Sequence, residues 1–88
     1  GVEDSTYNLG NLYPTTVDST LNIDLSDKVS GEALVNLFST SGEKVLTYSK
    51  KVDASEKLTL DVAHLTKGIY LCQLKIGETT TTWKFIKK

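Results

Sequence analysis

The sequence predicts a single all-β domain folded as an antiparallel sandwich. Short segments of alternating apolar and polar residues recur along the chain, turns containing glycine or serine separate them, and no helical period of useful length is present. An apolar share of 39% with 24% charged residues is typical of an ordinary globular protein. A chain of 88 residues buries only about three-fifths of the surface that it exposes when unfolded. This leaves little room for a deep catalytic cleft.

The N-terminal quarter is expected to lead from a linker into the first strands. Residues 1–8 are polar and rich in turn formers without a sustained period, which predicts a linker from something upstream. The opening Gly-Val without a methionine indicates a fragment. The domain is then expected to occupy residues 9–88, with a strand around Leu9 to Tyr13. Residues 20–25, TLNIDL, alternate cleanly and predict a half-buried strand.

The middle of the chain predicts a central strand, a hairpin and a further strand. Residues 33–39, ALVNLFS, are apolar on both parities, which is typical of a central strand covered on more than one side. Gly42 can take a positive φ angle without a Cβ clash, so Phe38 to Tyr48 is interpreted as a hairpin that bends there. Residues 57–62, KLTLDV, repeat the alternation of a half-buried strand.

The last third of the chain predicts a turn and two more strands. Residues 63–68, AHLTKG, are interpreted as a short turn in which Leu65 fills the core and Gly68 reverses the chain. One face of the following strand carries Tyr70, Cys72, Leu74 and Ile76. After a tight turn at Gly77, residues 79–86 form the final strand. Together the segments predict about seven strands in an antiparallel sandwich that resembles the immunoglobulin architecture.

Charge is distributed unevenly along the chain. All ten basic residues are lysines, and the absence of arginine argues against a nucleic-acid partner. Residues 67–88 carry five lysines against one acid, a net charge of +4, whereas residues 1–66 carry five lysines against ten acids, a net charge of −5. We therefore expect an anionic surface or partner to be drawn to the C-terminal end.

The residues that usually carry chemistry are few and isolated. Cys72 is the single cysteine, so it cannot form an internal disulfide, and its place in the core pattern predicts an inert buried thiol. His64 is the single histidine and is interpreted as a turn residue without chemistry. The aspartates lack the spacing of a calcium-binding loop. We therefore expect no enzyme activity, no metal or other cofactor and no small-molecule substrate.

A binding module is the alternative interpretation. Trp83 and one of the four tyrosines could form a platform on which a sugar ring stacks. The chain would then be a carbohydrate- or protein-binding β-sandwich of a secreted enzyme.

Four segments, taken in order, carry a resemblance to a known family. They are NLYPTTVDSTLNI, STSGEKVL, HLTKGIYLCQL and the closing KFIKK. Together they resemble the C-terminal sorting domain of type IX secretion cargo in Bacteroidetes, also called the Por secretion system sorting domain. The family pattern runs Tyr-Pro-Asn-Pro, Leu-x-Ile, Gly-x-x-Val, Leu-x-x-Gly-x-Tyr and a final strand that bears lysines. Thr15 and Thr16 stand where the family has Asn-Pro, so the turn after the Tyr-Pro pair is less rigid.

The resemblance implies a role for two sets of residues. The closing strand would be the sorting signal that the machinery recognises, although lysines on a terminal strand also serve to keep an edge from pairing with a neighbouring molecule. Its residues are Lys84, Phe85, Ile86, Lys87 and Lys88. The remaining motif positions are expected to be structural. They are Tyr13, Pro14, Gly42, Val45, Leu65, Gly68 and Tyr70.

The resemblance also implies a function and a set of partners. The chain would be a non-enzymatic export tag at the end of a larger cargo protein. Its partners would be the type IX secretion translocon and a sortase-like peptidase of the outer membrane, which removes the tag near the linker. The cargo would pass through the periplasm and outer membrane and become secreted or displayed on the cell surface.

Overall fold

The computed structural model describes residues 9–27 and 29–88, and these residues form eight β-strands and no helix. The strands are β1 (Gly10–Tyr13), β2 (Thr16–Val17), β3 (Thr20–Leu25), β4 (Gly31–Ser39), β5 (Lys44–Val52), β6 (Lys57–Asp61), β7 (Gly68–Ile76) and β8 (Thr79–Lys87). The predicted linker over residues 1–8 lies outside the described residues. Within the described part of the chain, no helix is long and apolar enough to cross a membrane.

The strands form two sheets. A three-stranded sheet has the order β1-β3-β6, and a five-stranded sheet has the order β2-β8-β7-β4-β5. The shortest dimension of the molecule is 19 Å, as expected for two sheets about 10 Å apart that carry side chains on their outer faces. The all-β sandwich predicted from the sequence is confirmed. Its immunoglobulin-like character stays a prediction.

One strand pair departs from the predicted antiparallel arrangement. The short strand β2 runs parallel to β8, whereas every other strand pair is antiparallel. The chain changes sheets between β1 and β2, where the Tyr13–Pro14 peptide bond is cis. Residues 18–78 separate β2 from β8, so no tight hairpin constrains their relative direction. Strand β2 also raises the number of strands from the expected seven to eight.

A single cluster of buried apolar side chains joins the two sheets. The alternation predicted for three segments is confirmed, because their apolar positions all face this cluster. These positions are Leu21, Ile23 and Leu25 on β3, Leu58 and Leu60 on β6, and Tyr70, Cys72, Leu74 and Ile76 on β7. The cluster therefore depends on the period of two that a strand imposes on its side chains.

Strand β4 is central, as predicted, but it is not covered on both sides. It lies between β7 and β5, and Ala33, Val35 and Leu37 are buried on its inner face. On the outer face, Leu34 is 38% exposed. The prediction of a strand covered on more than one side is therefore wrong. The second set of apolar residues lies on an outer face that no other element covers among the described residues.

The two predicted hairpin turns are confirmed. Gly42 has a φ angle of 89°, and its amide donates a hydrogen bond to the carbonyl of Ser39 at 2.9 Å. Gly77 has a φ angle of 62° between β7 and β8. Both angles lie in the left-handed region, which glycine adopts without the Cβ clash that other residues meet.

Gly10 is required for a different reason, which is close backbone contact. It pairs with Leu25 across the β1–β3 ladder. A Cβ atom added at position 10 would lie 2.1 Å from the carbonyl oxygen of Asp24, an atom of the neighbouring backbone. Any side chain at position 10 would therefore force the backbone of the three-stranded sheet to shift.

We expect Gly10→Ala to destabilise the domain by roughly 1–3 kcal/mol, the usual cost when an inserted methyl group forces a backbone shift. The free energy of unfolding in urea, followed by the fluorescence of Trp83, measures the change. Asn11→Ala, at the neighbouring exposed position, is the control and should change stability by less than about 0.5 kcal/mol. Equal stabilities of the two variants would contradict the proposed contact.

Candidate functional site

The closing strand β8 is held inside the five-stranded sheet and is paired on both sides near its end. Along β7 the pairing runs from Ile76 opposite Thr79 to Gly68 opposite Lys87. On the other side, the amide of Ile86 donates to the carbonyl of Thr15 at 2.7 Å. The amide of Lys88 donates to the carbonyl of Val17 at 2.9 Å. These bonds fix the backbone of the predicted sorting signal.

The alternation of β8 divides the five predicted recognition residues between two faces. Phe85 is 1% exposed and Lys87 is 6% exposed, so both are buried. Lys84 and Lys88 are exposed, and Ile86 is 44% exposed. Only three of the five side chains are therefore accessible to a partner while the domain is folded. The recognition role of the segment stays a prediction.

Lys87 is buried without an acidic partner in the contacts that the structure shows for it. Its ammonium nitrogen Nζ donates a hydrogen bond to the main-chain oxygen of Lys88 at 3.0 Å. The aliphatic stem of a lysine can pack against apolar neighbours while its charged end reaches a polar atom. The side chain of Lys87 thus stabilises the end of the strand through this hydrogen bond.

The motif residue Tyr70 contacts the closing strand directly. Tyr70 and Phe85 are paired across β7 and β8, and their rings stack with centroids 5.5 Å apart and planes inclined by 17°. The hydroxyl of Tyr70 donates a hydrogen bond to the carbonyl of Thr66 at 2.7 Å. A tyrosine that bonds back to the preceding corner in this way, two residues before a buried cysteine, also occurs in immunoglobulin domains. Tyr70 therefore links the turn before β7 to the closing strand β8.

The other motif residues lie in turns, at strand ends or against the core. Val45 and Leu65 pack against the core cluster, and the amide of Leu65 donates to the carbonyl of Val62 at 3.0 Å. Tyr13 ends β1, and its hydroxyl donates to Oδ1 of Asp24 at 3.0 Å. Gly68 begins β7. The structural role expected of these positions remains a prediction.

Cys72 is buried and His64 lies in a turn, as the sequence predicted. Cys72 is fully buried, and burial raises the pKa of its thiol to about 12. The thiolate is thus strongly disfavoured at neutral pH. His64 is exposed in the turn after β6. Among the described residues, no three His, Cys, Asp or Glu side chains are grouped as a metal site would require.

The structure separates the residues of the alternative stacking platform. Trp83 is paired with buried Cys72 and packs against the core cluster. Tyr48 lies on β5, three strands from Trp83 on β8, which corresponds to about 14 Å. Tyr70 is buried, Tyr13 belongs to the other sheet, and Tyr7 lies outside the described residues. Within residues 9–27 and 29–88, no tyrosine lies beside Trp83 on an exposed surface.

The fold and the placement of the motif residues agree with the result of a family comparison. Residues 11–88 match the family described as "Secretion system C-terminal sorting domain". The match covers most of the chain, and the protein belongs to this family. A comparison with curated proteins gave no match.

Membership of the family defines the class of the protein. It is a C-terminal sorting signal of type IX secretion, a system typical of Bacteroidetes, and such domains are generally not enzymes. The sorting domain marks proteins that are exported through the outer membrane to the cell surface or the extracellular space. The resemblance inferred from four segments of the sequence is thereby confirmed.

We expect Tyr70→Phe to cost about 1 kcal/mol of stability, because it removes the hydroxyl bond to Thr66 and keeps the ring stack. Tyr70→Ala should cost roughly 3–5 kcal/mol through loss of the buried ring. Urea unfolding monitored by Trp83 fluorescence measures both changes. Tyr13→Phe, which removes an exposed hydroxyl bond, is the control and should cost less than about 0.5 kcal/mol. A Tyr70→Phe variant as stable as the wild type would show that the corner bond contributes nothing.

We expect the Cys72 thiol to react with a maleimide far more slowly in the folded domain than in the unfolded chain. The reacting species is the thiolate, and burial both excludes the reagent and raises the pKa of the thiol to about 12. Mass spectrometry should find almost no labelling in neutral buffer and one label per chain in guanidinium chloride. Rapid labelling of the folded domain would contradict the buried placement of this side chain.

Proposed function

We propose that the folded domain over residues 9–88 directs a larger cargo protein through the type IX outer-membrane machinery by displaying one face of its closing strand. The observation that carries the proposal is the match of residues 11–88 to the sorting-domain family. The geometry of β8 supports it, because the buried Phe85 and Lys87 anchor the strand while the alternate positions Lys84 and Ile86 face outward. Lys84, Ile86 and Lys88 are then the residues that a receptor contacts first.

The exposed side chains of β8 suit recognition by a large partner. The two lysines present positive charge that accelerates encounter with an acidic surface, and Ile86, at 44% exposure, offers an apolar contact between them. Lys84 pairs with Leu71 on β7, and Ile86 is paired on both sides, so the strand holds the backbone from which these side chains project. A preorganised surface loses less conformational entropy on binding than a flexible tail does.

The same proposal assigns the cargo connection and the processing step. Residues 1–8 would join the domain to the cargo, and a sortase-like peptidase of the outer membrane would cleave near this segment once the cargo has crossed. The polar, turn-rich composition of these residues supports a linker. The sorting domain itself supplies recognition and no catalytic group.

We expect export of a reporter to require the exposed side chains of β8. A fluorescent protein behind a signal peptide is fused to residues 1–88 in a host that has type IX secretion. The variant Lys84→Ser, Ile86→Ser, Lys88→Ser should reduce the fluorescence of the medium and cell surface by about tenfold or more, as loss of a central contact does. Its thermal unfolding should match that of the wild type, since the three side chains are exposed.

The control changes exposed residues of the other sheet. Lys57→Ser with Thr59→Ser alters β6, where both side chains are exposed, and should leave export unchanged. Deletion of residues 84–88 is a poor test by comparison. It removes Phe85 from the core at a cost of roughly 3–5 kcal/mol, and a domain of this size has only about 4–13 kcal/mol in total. Equal export of the wild type and the triple variant would refute the proposed role of these side chains.

A further inference from the structure

The outer face of the five-stranded sheet carries an apolar patch beside the closing strand. We define the outer patch as Phe38, Ile69, Leu71 and Ile86. Ile69 is paired with Ile86 across β7 and β8, and Leu71 is paired with Phe38 across β7 and β4. Ile69 is 46% exposed and Leu71 is 40% exposed. The four side chains therefore form one continuous surface that spans three strands.

Lysines surround the outer patch. Lys84 is paired with Leu71, and Lys44 is paired with Phe38 across β4 and β5. Lys88 follows Ile86 at the alternate position and is exposed. At the far end of the same face lie Lys51, Lys75 and a single strand acid, Glu32, all of them exposed. The outward-facing positions of these strands, counted with Lys88, carry five lysines and one glutamate, a net charge of +4.

The opposite face of the molecule has a different character. The outward positions of the three-stranded sheet include Asp24, Lys57 and Asp61. Among the described residues, the large apolar side chains that are exposed are Leu34, Tyr48, Ile69, Leu71 and Ile86. None of the five belongs to the three-stranded sheet, and all but Tyr48 lie on the outer face of the five-stranded sheet. Exposed apolar surface is thus concentrated on one face, which is typical of an interaction site.

We propose that the outer patch and its lysines dock on a protein surface of the export machinery that has an apolar centre and an acidic rim. This inference rests on the proposed function and extends recognition from the closing strand to side chains of β4, β5 and β7. A second copy of the chain is a poor occupant of this face. A symmetric dimer through it would bring the two lysine rims together, and like charges at an interface disfavour association.

The size of the face indicates a transient contact. Five strands at about 4.8 Å spacing and about seven residues of 3.4 Å each give a flat area of roughly 570 Å². A stable protein interface usually buries about 800 Å² on each partner, and smaller interfaces belong to short-lived encounters. A sorting signal must release its receptor after transport, so a contact of this size suits it.

A protein partner fits the face better than a lipid surface does. Gln73 and Thr82 are paired in the middle of the face, and their polar groups need hydrogen-bonding partners once water is excluded. A structured protein surface supplies such partners at fixed positions, whereas an acyl-chain layer supplies none.

The test uses the reporter fusion with changes away from β8. Lys44→Glu and the pair Ile69→Thr, Leu71→Thr should each lower export by about fivefold or more, because the first reverses a rim charge and the second removes half of the patch. Lys57→Glu makes the same charge change on the opposite sheet and should export like the wild type. A photoreactive residue at position 71 should crosslink to a protein of the type IX machinery, and one at position 59 should not.

The outcomes separate this inference from the proposed function. If the wild-type fusion is not exported, the proposed function fails, and this inference fails with it. If the wild type is exported and the Lys44, Ile69 and Leu71 variants match it, only the docking surface is refuted. The purified domain is also tested for binding to vesicles of phosphatidylglycerol and phosphatidylcholine. Binding that Lys44→Glu abolishes would refute the protein partner and show that the face binds lipid. A dimer in sedimentation equilibrium that Lys44→Glu dissociates would refute the protein partner and show that the face binds a second copy of the chain.

Discussion

Burial of the Phe85 ring against Tyr70 is the contact on which the arrangement of the C-terminal end depends. The two rings stack at 5.5 Å within the core. Because neighbouring residues of a strand point to opposite faces, placing Phe85 inside places Lys84 and Ile86 outside. A slip of one residue would bury both of these side chains and expose the ring. The core contact therefore selects which side chains are displayed.

The same contact joins two of the family motifs, Leu-x-x-Gly-x-Tyr and the closing strand. Tyr70 receives Phe85 on one side and bonds through its hydroxyl to the carbonyl of Thr66 in the preceding turn. The turn places Leu65 against the core, and Gly68 then begins the strand that pairs with the closing segment. The motif of Leu65, Gly68 and Tyr70 thus meets the closing segment, although about fifteen residues separate the two in sequence. The exposed positions of β8 are therefore held in place by the fold, because the ring of Tyr70 and the turn before β7 support Phe85.

The sequence predicts the local structure well and the long-range arrangement less well. Period-two alternation and Gly42 are local signals, so the strands and the main hairpin could be inferred from short windows. The parallel pairing of β2 with β8 could not, because it depends on residues at opposite ends of the chain. The burial of Lys87 likewise could not be predicted from the sequence, since lysine is seldom buried. The exposed outer face at Leu34 could not be predicted. An apolar run has the same sequence pattern whether its second face is covered by another element or exposed to solvent.

Folding separates the positive and negative charges of the domain onto different faces. Lysines of the C-terminal segment and lysines from the middle of the chain, including Lys44, meet on the outer face of the five-stranded sheet. The acids Asp24 and Asp61 lie instead on the three-stranded sheet. Strand pairing collects charges that are far apart in sequence, and the result is a molecule with one basic, partly apolar face. An acidic partner approaching in random orientation would be turned toward that face before contact.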